Sequence, residues 1–368
     1  MSKIYRILSL DGGPSTINYL RLLRVIEENR PGFLDRADLL AGTSDGAWAA
    51  LFIATRPPGT TGLEALNQCI AFNEKIADAL KLGIVGVVRL LTGVMSAINN
   101  QQLVSQLKEI YGNDVDGNPH TLKTLHRDVC LVAYHLNRQP VKPGVRLFHN
   151  LERHGDSDLP DVTNEGKADL ELPAYEVALR SGAFPIMMPA RQGYIDGAMF
   201  ANNPGMCGLT QAHAYREALG FANLDHCVML SAGADDVHLG GKLLEWAERE
   251  HKDLQWGWAP WLLMPWAPLI LVNAMMSASG RGVGFQTREL LGQRFLRLAP
   301  PMGEPFGREM LRFIEGRRRR LFEEADTVAA DWAAGATGIN ATPTLALTLA
   351  WLDRVWFTDP KMPDQPTL

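Results

Sequence analysis

Five residues, Gly42-Thr43-Ser44-Asp45-Gly46, constrain this chain more than any other stretch. They join a short apolar run, Ala37-Asp38-Leu39-Leu40-Ala41, directly to the apolar helix-like segment Ala47 to Ala54. A strand that passes into a helix through Gly-x-Ser-x-Gly must turn sharply, and it leaves the serine hydroxyl exposed above the sheet while the glycines let the backbone pass close to its neighbours. The amides of Ser44 and Asp45 then sit at a helix N-terminus, where developing negative charge is favoured. The same residues also suit a tight turn with a helix-capping serine, so the rest of the chain has to separate the two readings.

The surrounding pattern is that of an α/β protein. Tyr5 to Leu10 reads as a strand, Asp11-Gly12-Gly13-Pro14 as a tight turn and Tyr19 to Asn29 as a helix. Further strands are expected at Val129 to Tyr134, Arg146 to Phe148, Tyr194-Ile195 and Val228 to Ser231, with a helix at Tyr175 to Ser181. Alternating strands and helices imply a mostly parallel sheet with helices on both faces, a three-layer α/β/α sandwich. Residues 56–126 read as a helical insertion within a catalytic core at 1–240, residues 241–358 as a helical C-terminal region packed on that core, and 359–368 as a loose tail.

Composition narrows the class of function. A net charge of −5 supplies no global positive field to gather nucleic acid. The four cysteines, Cys69, Cys130, Cys207 and Cys227, lack ligand spacing and read as reduced core thiols, and no cofactor is expected. The apolar run Ile7 to Leu10 is too short for a secretory signal, which points to the cytoplasm.

Two further stretches qualify the serine. Asp11-Gly12-Gly13 could donate backbone amides to an oxyanion, and it matches neither a dinucleotide fingerprint nor a P-loop. An ordinary α/β-hydrolase would place a histidine late in the chain, yet none follows His251. Another group must take the serine proton. Tyr194-Ile195-Asp196-Gly197-Ala198 offers an acid at a strand end, followed by Asn202-Asn203-Pro204 to open a helix. Ser44 and Asp196 are therefore expected at the carboxyl ends of neighbouring strands.

Taken together, Asp11-Gly12-Gly13, Gly42-Thr43-Ser44-Asp45-Gly46, Ser181-Gly182-Ala183-Phe184-Pro185 and Asp196-Gly197 with Asn202-Asn203-Pro204 resemble the patatin-like phospholipase family over residues 4 to about 235. Leu230-Ser231-Ala232-Gly233-Ala234 looks like that family's last core strand and turn. The resemblance implies a three-layer fold, no metal, and a Ser/Asp dyad that hydrolyses fatty-acyl esters of phospholipids and related lipids. It assigns Ser44 as nucleophile, Asp196 as dyad acid, and Gly12 and Gly13 to the oxyanion loop, beside Asp45 and the elbow glycines Gly42 and Gly46. The loop departs from the family pattern Asp-Gly-Gly-Gly-x-Arg-Gly: Pro14, Thr16 and Ile17 stand at the third glycine, the arginine and the last glycine. Proline has no N–H to donate. The alternative to an active enzyme is thus a weak or silent lipid-binding or scaffold protein that keeps the fold.

Lipid contact has its own candidates. Leu82 to Ile98 is apolar enough to wall an acyl pocket. Trp256 to Ala278 carries no charge and includes Trp256, Trp258, Trp261 and Trp266, as a peripheral membrane surface would, while Pro260, Pro265 and Pro268 argue against a spanning helix. The alternative is that the stretch packs on the core or on a second copy of the chain. Arg319 and Arg320 precede Glu323 and Glu324 at helical spacing and read as a salt-bridged, solvated face.

Overall fold

In the computed structural model, which describes residues 3–14, 16–80, 84–92, 95–98, 100–136, 144–157, 166–234, 257–258, 261, 270–300, 318–335 and 342–358, strand β1 (Tyr5–Leu10) is wholly buried. Its side chains alternate between two apolar clusters, Leu8 and Leu10 in one, Tyr5 and Ile7 in the other. A strand buried on both faces belongs at the centre of a sheet covered on both sides. β2 (Leu39–Thr43) and β6 (Cys227–Ala232) pair with it in parallel. β3 (Asp128–His135) extends the sheet beyond β2, again in parallel. With β4 (Gly144–His149), β5 (Tyr194–Asp196) and β7 (Phe295–Leu298), the order is β4-β3-β2-β1-β6-β7, with β5 also on β3.

Helices cover both faces. α1 (Thr16–Asn29), α2 (Asp45–Ala54), α3 (Gly62–Ala79) and α5 (Asn100–Tyr111) supply the larger cluster, and α4 (Ile84–Thr92) lies between α3 and α5 in the chain. α6 (Ala174–Ser181) joins the same side. After the single turn α7 (Ala198–Ala201), α8 (Gly205–Ala214) packs on the opposite face, and the short α9 (Arg216–Leu219) leads to β6. The result is the three-layer α/β/α sandwich, with a mostly parallel sheet. All four cysteines are buried, and none is in a disulfide among the described residues.

Four features differ from the sequence reading. β4 (Gly144–His149) and β5 (Tyr194–Asp196) run antiparallel to β3. β4 takes one edge of β3, so β2 and β5 share the other: Thr43 stands opposite Val132 and Asp196 opposite Ala133. The two strands meet end to end instead of lying side by side, because β5 is only three residues long and β2 has ended where it begins. The region read as helical beyond residue 241 also contributes an edge strand, β7 (Phe295–Leu298), parallel to β6. Its core pattern is hidden by Arg297 and by its four-residue length. α1 starts at Thr16, three residues before the apolar repeat suggests, because the Thr16 amide and hydroxyl both donate to the Gly13 carbonyl.

The described C-terminal residues pack on the core. α10 (Ile270–Leu291) leads into β7, and α11 (Arg318–Ala333) lies along α1, where buried Arg21 bonds Asp326 at 2.6 Å and Glu74 at 3.0 Å. α12 (Leu345–Trp351) brings Trp356 beneath β1, and Arg6 donates to its carbonyl at 2.6 Å. Arg319–Glu323 and Arg320–Glu324 form exposed pairs along α11, as their spacing requires. No helix among the described residues is long and apolar enough to cross a membrane.

Candidate active site

The elbow follows from what each residue of Gly42–Gly46 must avoid. A Cβ on Gly42 would stand 2.6 Å from the Ala47 Cα, and one on Gly46 2.2 Å from the Leu10 carbonyl oxygen. Only glycine lets β2 turn into α2 this close to β1. Ser44 pays for the turn with a φ of 54°, a left-handed conformation that a side chain adopts at a cost and that marks functional turns. Its hydroxyl donates to Asp196 Oδ2 at 2.6 Å. Its amide donates to the Ser181 hydroxyl at 3.0 Å, and that hydroxyl donates to the Val132 carbonyl at 2.6 Å.

Asp196 is fixed by the end of β5 and by the turn after α6. Its own amide donates to the Ala183 carbonyl at 3.0 Å, and the Gly197 amide to that of Ser181 at 3.1 Å. Gly197 fits because a Cβ there would meet the Val132 oxygen at 2.2 Å. The second carboxylate oxygen accepts the Ala198 amide at 2.8 Å. Burial pushes the Asp196 carboxyl up to about 7, against the hydrogen bonds from Ser44 and Ala198 that pull it down, and Asp45 adds to the rise. A carboxylate with that affinity can take a proton near neutral pH.

The glycine loop lies across from the elbow. Gly13 has φ 97° and, with Pro14, lines the cavity above Ser44. The Gly12 amide, expected as an oxyanion donor, instead donates to the Asn202 carbonyl at 3.0 Å. What Gly12 contributes is room: a Cβ would lie 2.9 Å from Asn202 Oδ1 and 3.0 Å from the Ser44 Cβ. The Ser44 amide is likewise engaged. Among the described residues, the amides of Gly13 and Asp45 bond no acceptor, the latter because it opens α2. Burial raises the Asp45 carboxyl to about 6, and it too lines the cavity.

That cavity is narrow and apolar, about 40 Å³, walled by Trp48, Leu80, Ile98, Phe184, Met187, Met188 and Met276 among others. It has room for a few waters. Three of its walls are methionines, whose unbranched side chains repack readily. Of the stretch Leu82 to Ile98, Ile98 reaches the cavity, held by its amide to the Met187 carbonyl at 2.9 Å. Val85 and Val88 of α4 point away and are 65% and 53% exposed. In the expected membrane stretch, Trp258 is 71% exposed, Trp261 is half-buried, and Trp256 and Trp266 lie outside the described residues.

Two residues escaped the sequence reading. Ser181 lies in a motif read from sequence, but nothing there reveals that its hydroxyl bridges the elbow and β3. Arg297, which bonds Asp11 and Ser231, sits in a Leu-Arg-Leu run with no signal of its own.

Comparison with known proteins decides the family. The model of the patatin-like phospholipase family matches residues 8–206, more than half of the chain. The chain belongs to the patatin-like phospholipase family. Members of this family are lipid acyl hydrolases, which makes the chain a hydrolase at that level. CotR of Bacillus subtilis (strain 168), a sporulation hydrolase by name, is 26% identical over 319 residues, covering 80% of this chain and 87% of its own. Protein teg of Priestia megaterium is also 26% identical, over 321 residues, with the same coverage. Among solved structures, VipD from Legionella pneumophila aligns at a TM-score of 0.32 and 12% identity, over 90% of this chain and 67% of its own. ExoU of Pseudomonas aeruginosa, solved in complex with SpcU, aligns at 0.32 and 13%, over 97% and 69%. The membership in the patatin-like family rests on the family model.

Proposed function

We propose that this chain hydrolyses fatty-acyl ester bonds of phospholipids and related lipids through a Ser44/Asp196 dyad and an acyl-enzyme. The observation that carries the reading is the 2.6 Å bond from the Ser44 hydroxyl, on a left-handed elbow, to a buried carboxylate raised to about 7. The Ser44 oxygen attacks the ester carbonyl carbon while Asp196 Oδ2 takes its proton. Negative charge then gathers on the former carbonyl oxygen, and the otherwise unengaged Gly13 and Asp45 amides are its donors in this reading. Collapse breaks the bond to the alcohol, which leaves with the proton from Asp196. Water attacks the acyl-enzyme, gives one proton to Asp196, and frees the fatty acid as that proton returns to Ser44.

The test is hydrolysis of a short-chain ester and a phospholipid panel, with labelling by a serine-directed fluorophosphonate. Ser44→Ala and Asp196→Asn should each lower turnover on the order of 10⁴-fold or more while leaving the fold intact. Retained turnover in either variant refutes the dyad. Because the ionised carboxylate is the base, kcat/KM should fall as pH drops through about 7 and level off above it. A pH-independent rate from 5 to 8 would remove Asp196 from that role.

A second reading has its own support. Pro14 lines the cavity without an N–H and the Gly12 amide is engaged, leaving two donors. A silent lipid-binding protein would bind lipid yet fail to label with the fluorophosphonate, whereas the hydrolase labels at Ser44.

Peripheral membrane contact fits the same reading. Leu271 and Met275 (64% exposed) lie just before Met276, which walls the cavity, while Val85 and Val88 present an apolar face on α4. With Trp258 these are exposed apolar side chains of the kind a bilayer would cover. Liposome flotation should show binding that weakens severalfold in a Trp258→Ala/Met275→Ala/Val85→Ala variant. Equal flotation of variant and wild type would leave these side chains to another partner.

A further inference from the structure

The carboxylate of Asp11, first residue of the glycine loop, is 2% exposed and lies against a guanidinium contributed from far along the chain. Arg297 Nη1 donates to Asp11 Oδ1 at 2.9 Å and to the Ser231 hydroxyl at 2.6 Å, and Nη2 donates to Asp11 Oδ2 at 2.5 Å. This two-pronged geometry fixes a carboxylate in orientation as well as position. Gly233 is shaped around it: a Cβ there would lie 2.1 Å from Asp11 Oδ2 and 2.5 Å from Arg297 Nη2. The Gly233 amide is itself held by the Leu298 carbonyl at 2.9 Å, next to Arg297 in β7. Ser231 of β6, Gly233 just past its end and Arg297 of β7 thus converge on one side chain of the loop.

From the other side, the Tyr19 hydroxyl donates to the Asp11 carbonyl at 2.9 Å and the Thr16 hydroxyl to the Gly13 carbonyl at 3.0 Å. The Asp11 amide donates to the Ala232 carbonyl at 2.9 Å. Asp11 is therefore held at amide, carbonyl and carboxylate, and two residues later Gly13, whose amide bonds no acceptor among the described residues, lines the cavity. Rotation at Asp11 would swing that amide away from the ester oxygen.

We infer that Arg297 is a positioning residue for ester hydrolysis, which clamps Asp11 so that the Gly13 amide meets the oxyanion. The inference rests on the proposed hydrolysis and adds β7, outside the stretch the family model matches, to the working site. Arg297 touches no reacting atom. Its effect falls on the step in which charge develops, so its loss lowers kcat and leaves KM nearly unchanged.

The experiment compares Arg297→Gln, Arg297→Lys, Asp11→Asn and the double variant Asp11→Asn/Arg297→Gln with wild type. Turnover and fluorophosphonate labelling are read below the melting temperature of each, and hydrogen exchange is followed over residues 8–20. Arg297→Gln should lower kcat and the labelling rate about 100-fold with KM within about twofold. Arg297→Lys, a point charge without the fork, should recover part of the loss. The double variant should be no worse than either single one, since both remove the same contact. Ser231→Ala removes one hydrogen bond without stranding a charge, and so serves if Arg297→Gln does not fold: it should lower kcat about 3- to 10-fold. In Arg297→Gln and Ser231→Ala alike, exchange should accelerate over residues 8–20 and stay unchanged over β3. Faster exchange there in the variants, beside a wild type that proves inactive, would keep the clamp and sink the hydrolase reading. Unchanged exchange, full kcat in a folded Arg297→Gln, or multiplicative losses in the double variant would overturn the inference.

Discussion

The nucleophile elbow and the glycine loop face each other across one cavity, but they are held in different ways. The elbow is fixed by its own sequence: Gly42 and Gly46 admit the turn, and α2 begins at once behind Ser44. The loop is fixed by others: the Asn202 carbonyl takes the Gly12 amide, Tyr19 holds the Asp11 carbonyl, and Arg297 grips its carboxylate. A turn defined by steric exclusion is intolerant of change within itself. One defined by distant bonds tolerates local change and yields to remote change.

The largest expected effect tests the first half of that contrast. Gly46→Ala would force a Cβ to 2.2 Å from the Leu10 oxygen and 2.5 Å from that of Asp11, both backbone atoms of a central strand and its loop. Turnover should fall at least about 10³-fold and stability by about 3 kcal/mol, measured by esterase assay and urea unfolding. Gly12→Ala meets the end of the Asn202 side chain first, at 2.9 Å, and should lose no more than about 30-fold. Equal losses in the two variants would erase the distinction.

A smaller effect is expected where a single hydroxyl serves the elbow from outside. Ser181→Ala leaves the Ser44 amide and the Val132 carbonyl without their shared partner. A buried unpaired group costs about 1–3 kcal/mol, so melting should drop accordingly and kcat about 10-fold. Unchanged kcat would show that the elbow needs no outside support. The smallest effect is at Pro14. With the Gly13 and Asp45 amides already available, Pro14→Gly should raise kcat by no more than about 10-fold, offset in part by loop entropy. A hundredfold gain would mean that the loop, as it stands, lacks its main donor.

The same contrast explains what could be read from the sequence. β1, β2, α2, β3 and β6 announce themselves through short apolar runs and glycine turns, and Ser44 and Asp196 through motifs at strand ends. These are local signals. Gly12 looked like a donor because its amide follows a strand, and only the fold brings the Asn202 carbonyl to it. β7 is missed because four residues with an arginine among them carry no periodicity, and Arg297 is missed with it. The antiparallel direction of β4 and β5 follows from pairing, which the apolar pattern of either strand does not encode. The end-to-end junction of β2 and β5 is invisible for the same reason.

That junction has a consequence for variation. Since Thr43 stands opposite Val132 and Asp196 opposite Ala133, the residue before Ser44 and the acid lie about one residue step of 3.3 Å apart along one strand, a spacing set by β3 and not by the chain that connects them. β3 acts as a ruler. Residues between β4 and α6 can lengthen, shorten or change their character, and so reshape what the cleft admits, while Ser44 and Asp196 keep their spacing. A deletion of one residue within β3 itself has no such freedom: it shifts one partner's register and parts the pair.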